Sequence, residues 1–283
     1  MRLNGAALGR PAFRARPSQT ARVEETPGRL LARVERDGGV ADEVAIEEPL
    51  EIRVRGAALA VTMRTPGHDE ELALGFLHGE GLIDAVAPAG PPQDLAGNVV
   101  DVDTVLLREP PQRRFYATSS CGVCGKGALE EIAVLAPSAL PGPVVARSLL
   151  AALPDALAVA QPGFASSGGL HATGLFDAAG TLLTAREDVG RHNAMDKVIG
   201  RALLDGLLPL HGHLLCVSGR LSFELVQKAA SAGAPILVAV GAPTSLAVSL
   251  AREQGMTLCG FARGGQVNVY SGGERVSDAS ESG

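Results

Sequence analysis

The order of short apolar runs between residues 214 and 261 restricts the fold more than any other feature of this sequence. Leu214 to Val217 reads as a strand, and Ser222 opens a helix through Phe223, Leu225, Val226 and Ala229. Ile236 to Val240 is the next strand, Thr244 caps a helix ending near Gly255, and Met256 to Phe261 is a third strand. Strand, helix, strand, helix, strand with short glycine-containing connections demands parallel pairing and right-handed crossovers. This part of the chain is α/β. Just upstream, His171 to Phe176 and Thr181 to Arg186 flank Asp177-Ala178-Ala179-Gly180 as a hairpin. Asp188 is then placed to cap a helix running through Met195, Val198 and Ile199 to Leu204.

The N-terminal half has a different pattern. Alternating Val44 and Ile46, then Leu50, Ile52 and Val54, predict antiparallel strands between Val44 and Thr65 with Gly56 at a turn. Thr65-Pro66-Gly67 stops the sheet, and a helix starts at His68-Asp69-Glu70-Glu71, with acids in its first turn as the helix dipole favours. Gly79 and Gly81 end it; residues 86–96 read as a loop, and Val99 to Leu107 as a strand. The domain organisation expected is a disordered tail over 1–23, an α+β domain over 24–116, a mobile loop over 117–127, an α/β domain over 128–271 and a second loose tail over 272–283.

Composition narrows the classes of function. Hydrophobic residues make up 46% of the 283, too many for a disordered chain. Aromatics are 3% with no Trp, so the core is built from Ala, Val, Leu and Ile, and base-stacking platforms for single-stranded nucleic acid are not expected. Five of the 25 basic residues (Arg2, Arg10, Arg14, Arg16, Arg22) fall in the first 23 positions, which hold no acid. The rest of the chain sets 20 bases against 31 acids, which excludes a broad nucleic-acid-binding face but not a local basic pocket for one nucleotide. The longest apolar run, Pro235 to Ala242, is far short of the ~18 residues of a membrane span. Arg10, Pro11, Arg14 and Arg16 interrupt any secretory signal, so a cytoplasmic protein without membrane attachment is expected.

Between the halves lies Thr118-Ser119-Ser120-Cys121-Gly122-Val123-Cys124-Gly125-Lys126-Gly127, a polar, glycine-rich stretch with two thiols at C-x-x-C spacing. Such a pair can hold half of a zinc site, cycle between dithiol and disulfide, or pass sulfur as a persulfide. The other two cysteines, Cys216 and Cys259, sit singly in apolar strands and read as core packing. His68-Asp69-Glu70 and His78-Gly79-Glu80 both fit H-x-E, which zinc nucleobase deaminases combine with P-C-x-x-C. Here Ser120 replaces that proline, and Gly125 and Gly127 oppose the helix that would hold the ligands, so no resident metal is expected. A thioredoxin-like site needs its first Cys at a helix N-terminus, which the glycines also disfavour.

Longer segments carry a resemblance. Ser120-Cys-Gly-Val-Cys-Gly125, Glu187-Asp-Val-Gly-Arg-His-Asn-Ala-Met-Asp-Lys-Val-Ile-Gly200 and Ser218-Gly-Arg-Leu-Ser-Phe-Glu-Leu-Val-Gln-Lys228 resemble signature segments of the FdhD family. Ala234-Pro-Ile-Leu-Val-Ala-Val-Gly-Ala-Pro-Thr-Ser245, Gly260-Phe-Ala-Arg-Gly264 and Thr65-Pro-Gly-His-Asp-Glu-Glu-Leu-Ala-Leu-Gly-Phe76 extend it in order over roughly residues 25–271. The resemblance implies a sulfur carrier needed for formate dehydrogenase activity. Such a protein takes persulfide sulfur from a cysteine desulfurase. It passes the sulfur to the molybdenum (or tungsten) bis(molybdopterin guanine dinucleotide) cofactor before insertion into apo-formate dehydrogenase. It also implies a homodimer, and a cytidine-deaminase-like three-layer C-terminal fold, lacking the deaminase zinc, beside a smaller N-terminal α+β domain.

Carried onto this chain, Cys121 becomes the persulfide carrier and Cys124 its partner, while Phe261, Ala262, Arg263, Gly264, Gly265 and Gln266 fall where the family binds the cofactor's guanine-nucleotide (GDP- or GMP-like) end. The residues themselves agree in part. Arg263-Gly264-Gly265 follows a strand at the carboxyl edge of an α/β sheet, where ligands bind, and glycines permit close approach to a phosphate. Ser218-Gly219-Arg220 is a second candidate of the same kind. Arg191, His192, Asn193, Asp196 and Lys197 form a polar helix start that is a candidate cofactor or dimer contact. A non-catalytic chaperone that holds the cofactor through Arg263 is the alternative function, and a zinc deaminase a more remote one.

Overall fold

The computed structural model describes residues 30–92, 97–110 and 141–278. The N-terminal half begins with a hairpin of β1 (Leu31–Arg36) and β2 (Val40–Ala45). Strands β3 (Glu48–Val54) and β4 (Ala57–Arg64) follow, then α1 (Asp69–Gly79), β5 (Ala89–Gly90) and β6 (Val99–Val102). These last four strands form one sheet in the order β4-β3-β6-β5. Leu50 and Ile52 of β3 and Val100 and Val102 of β6 bury against Leu72, Leu74 and Leu77 of α1. The predicted strand to Leu107 stops at Val102.

The C-terminal half contains β7 (Val145–Ala146), α2 (Arg147–Val159), α3 (Pro162–Ser167), β8 (His171–Asp177) and β9 (Leu182–Asp188). It continues with α4 (Arg191–Leu204), β10 (His213–Val217), α5 (Phe223–Ser231), β11 (Ile236–Ala239), α6 (Ser245–Glu253), β12 (Thr257–Arg263) and β13 (Gln266–Ser271). Six strands align as β13-β12-β11-β10-β8-β9, with β10, β11 and β12 parallel as the sequence predicts. Strand alternation divides the core cleanly. Leu215, Val217, Leu237 and Ala239 face α4, α5 and α6, whereas Leu214, Cys216, Ile236 and Val238 face α2. The mixed α/β expectation holds. Thr244 caps α6 as expected, its Oγ1 accepting from the Ala247 N–H at 3.3 Å.

Residues 272–277, expected as part of a loose tail, are structured instead. Val276–Ser277 (β14) pairs in parallel with β7, and the Arg275 Nη1 donates to the Gly255 carbonyl at 2.8 Å. Backbone pairing and a half-buried guanidinium supply what composition alone does not reveal. The tail expected over 1–23 and the loop expected over 117–127 lie outside the described residues.

The two halves meet where α1 crosses α4. Glu71 of α1 is buried there, and its carboxylate takes a two-pronged bond from Arg186 of β9, at 2.6 Å to Nε and 2.8 Å to Nη2. Burial pushes that carboxyl up, but hydrogen bonds from His68 and Arg186 outweigh it and hold the pKa at about 2. A depressed folded value stabilises the protein above the unfolded carboxyl value of 4.5, and the contribution fades as pH falls from there towards about 2. Glu71→Gln should therefore lose stability at pH 7, on the order of 3 kcal/mol at most. It should also flatten the acid limb of a urea-melt stability profile below pH 4.5. An acid limb identical to that of the wild type would show that Arg186 does not grip this carboxylate.

Candidate functional site

Because β8 runs antiparallel to β10, the start of β8 lies beside the ends of β10, β11 and β12. One edge of the sheet thereby gathers His171, the Ser218-Gly219-Arg220 turn, Gly241 and Phe261. Backbone bonds knit these strand ends together: the Gly241 N–H donates to the Gly219 carbonyl and the Phe261 N–H to the Gly241 carbonyl, each at 3.1 Å. Gly241 has to be glycine, since a Cβ there would lie 2.8 Å from the Gly219 oxygen and 3.0 Å from the Arg220 Cα. The resulting floor is bare backbone, at the edge where open α/β sheets receive ligands.

Basic side chains converge on one end of that floor. A methyl group placed on Gly219 would sit 3.4 Å from Nδ1 of His171 and 3.7 Å from Cδ of Arg191, so both flank the same point. The Nε of Arg191 is buried and has no hydrogen-bond partner among the described residues. Arg220 is exposed beside them. Burial lowers the His171 pKa below its usual 6.5, and the neighbouring charges of Arg191, His192 and Arg220 lower it further against the pull of Asp188. His192, by contrast, is already engaged, its Nε2 lying 3.1 Å from Glu224 and 3.3 Å from the Ser222 hydroxyl.

At the other end, β12 and β13 form a hairpin beyond the sheet edge. Gly264 and Gly265 have φ of 57° and 76°, the two positive values that a two-residue turn matching strand twist requires. Arg263, Gly264, Gly265 and Gln266 are exposed. Phe261 also has positive φ, 54°, which is a strained conformation for an aromatic residue. It sits where the β12–β13 register shifts, and the residue is 39% exposed. Ala262 is different. Its side chain is fully buried in the α2-side core, so it offers a ligand backbone only.

The polar start of α4 divides in two. Arg191 and His192 face the edge just described, but Asn193, Asp196 and Lys197 are buried and serve structure. Lys197 Nζ lies 2.7 Å from the Asp188 carboxylate and donates to the Thr65 carbonyl at 2.8 Å. Asn193 donates to the Met63 carbonyl and to Asp188. Asp196 is paired with Lys228 at 2.7 Å, and burial raises its pKa despite that lysine. Asp188 does not cap α4 as expected: Gly190 is the cap residue, and the Asp188 carboxylate instead accepts from the Thr65 and Gly190 N–H groups.

The remaining candidates separate as well. Cys216 and Cys259 are buried in β10 and β12, where desolvation pushes both thiols up, Cys259 to about 12, so neither is a ready thiolate. His68 sits half exposed against Glu71, while His78 is partly buried with Nε2 3.2 Å from the Ser231 carbonyl. Among the described residues there is no group of three His, Cys, Asp or Glu able to hold a metal, and no helix long and apolar enough to cross a membrane. Cys121 and Cys124 lie outside the described residues. Sequence reasoning missed His171, because only the antiparallel placement of β8 brings it to the edge, and no local signal marks that.

A model of the FdhD/NarQ family matches residues 45–277. The chain belongs to this family. It is 51% identical over 271 residues to the sulfur carrier protein FdhD of Streptomyces coelicolor, covering 89% of this chain and 96% of that one. It is 48% identical over 255 residues to the sulfur carrier protein FdhD of Mycobacterium tuberculosis, covering 83% and 92%. A crystal structure described as a candidate formate dehydrogenase accessory protein from Desulfotalea psychrophila superposes with a TM-score of 0.67 at 27% identity, covering 87% of this chain and 97% of that chain. The segments that belong to this family thus include the sheet edge and its basic residues.

Proposed function

We propose that this protein is a sulfur carrier for formate dehydrogenase maturation. Sulfur arrives from a cysteine desulfurase as a persulfide on Cys121. It is passed to a molybdenum bis(molybdopterin guanine dinucleotide) substrate held at the sheet edge. The observation that carries this reading is the joining of two features in one chain. A C-x-x-C pair stands in a glycine-rich segment, and a glycine-floored edge offers Arg191 and Arg220 at one end and an exposed Phe261 at the other. The first suits sulfur chemistry and the second a guanine nucleotide. Relatives about half identical in sequence are sulfur carriers.

The chemistry balances without a metal of the protein's own. A Cys121 thiolate attacks the outer sulfur of the desulfurase persulfide, the donor S–S bond breaks, and the desulfurase thiolate leaves. Cys121 then carries the sulfur until it is delivered to the substrate metal. If Cys124 attacks the inner sulfur instead, hydrosulfide departs and a Cys121–Cys124 disulfide remains. Phe261, Arg263 and Gln266, with the backbone of Ala262, Gly264 and Gly265, would receive the guanine end. In this role the protein works in the cytoplasm, as a homodimer, with the desulfurase and apo-formate dehydrogenase as partners.

Mass spectrometry of the full chain after incubation with desulfurase and cysteine tests the reading. The peptide spanning Cys121 and Cys124 should gain one sulfur, the gain should vanish in Cys121→Ala, and formate dehydrogenase sulfuration should vanish with it. No gain, with guanine-nucleotide binding retained, would make the protein a holding chaperone instead.

A further inference from the structure

We infer that His171, Arg191 and Arg220 form a subsite for the phosphate groups of the bound nucleotide, with His171 donating to phosphate in its protonated form. The inference rests on the guanine-nucleotide reading above and extends it to an unassigned residue. Three basic groups reach this point from three elements: the start of β8, the first turn of α4 and the turn after β10. Like charges gathered without counter-charge are costly unless an anion joins them.

The nearby acids are committed elsewhere. Asp188 of β9 holds Lys197, and Glu224 of α5 holds His192. No ion pair to His171, Arg191 or Arg220 is formed among the described residues. The buried, unpartnered Nε of Arg191 is a donor awaiting an acceptor. Gly219 leaves the space between His171 and Arg191 unfilled by any side chain. The distances also suit a nucleotide. Phe261 on β12 and His171 on β8 are separated by three strand spacings, about 14 Å, which spans a base at one end and a diphosphate at the other.

The groups facing His171 set its pH response. Arg191 and His192 of α4 and Arg220 disfavour its proton, and Asp188 favours it. A bound diphosphate reverses the balance, so binding takes up a proton. Affinity gains from His171 as pH falls from 8 towards 6. The nucleotide's own terminal phosphate, with a second pKa near 6, titrates in the same range, so the readout is the difference between wild type and His171→Gln.

Calorimetry with GDP and with inorganic pyrophosphate, on the full-length protein and on His171→Gln, Arg191→Gln and Arg220→Gln, decides the matter. Arg220 is exposed, so its variant folds even if the others do not. Each substitution should weaken both probes about 10- to 100-fold, the range expected for one charge-assisted bond. His171→Gln should also abolish the extra affinity at low pH. GDP bound equally well by wild type and all three variants would overturn the subsite and leave the guanine reading standing. Pyrophosphate binding lost in the variants, with GDP no tighter than pyrophosphate, would keep the subsite and overturn the guanine reading. Binding of neither probe by the wild type would overturn both.

Discussion

Replacing Gly75 by Ala should destabilise the protein by about 3 kcal/mol or more, at the upper end of what overpacking costs. In an exposed helix the same change would stabilise by about 1 kcal/mol, because alanine is the better helix former. The sign is reversed here by the helix crossing. A Cβ on Gly75 would fall 1.8 Å from the Asp196 carbonyl oxygen, and one on Gly200 would fall 1.8 Å from the Glu71 carbonyl oxygen. Both obstacles are backbone, so no rotamer change relieves them, and α1 must move away from α4. That movement loosens Glu71 from Arg186 as well. Gly200→Ala should behave alike, and the double variant should cost less than the sum, since helices already parted admit the second methyl more cheaply. Urea melts of the four proteins measure all of this. A stabilised Gly75→Ala would mean that the helices do not meet so closely.

That crossing also explains which parts of the fold were legible in the sequence. The parallel strands were readable because Leu214 to Phe261 repeats its pattern locally, and each strand alternates between two covered faces. The polar face of α4 was not. Helical spacing groups His192 with Asp196 and Asn193 with Lys197, yet nothing local says that α1 from the other half covers the far side. Only the three-dimensional structure turns Asn193, Asp196 and Lys197 from candidate contacts into buried supports. Asp188 was misread likewise: an acid three residues before a helix suggests a cap, but its partner Thr65 lies 123 positions away. His171 was hidden by the same distance effect, and the tail strand β14 by its dependence on β7.

Lys197→Met should cost about 3–5 kcal/mol, the penalty for leaving one partner of a buried ion pair uncompensated. Lys197 and Asp188 are both fully buried, 2.7 Å apart. Without the ammonium, Asp188 keeps only N–H donors from Thr65, Gly190 and Asn193 around a charge with no access to water. Adding Asp188→Asn should recover part of the loss, because the orphaned charge goes with it. The damage should also have an address. Thr65 is gripped four ways, through its N–H to Asp188, its carbonyl to Lys197, and its hydroxyl to Ile46 and Val189. This network fixes the start of α4, one residue from Arg191. Amide hydrogen exchange should therefore quicken over residues 188–193 in Lys197→Met more than over β11, even where the protein remains folded. Uniformly faster exchange would make the pair a general stabiliser. A unfolding midpoint unchanged from wild type would show that the ion pair merely offsets its own desolvation. The localised outcome alone makes Lys197 the residue that holds the phosphate-facing turn in place, joining the stability of the interface between the halves to the chemistry of the sheet edge.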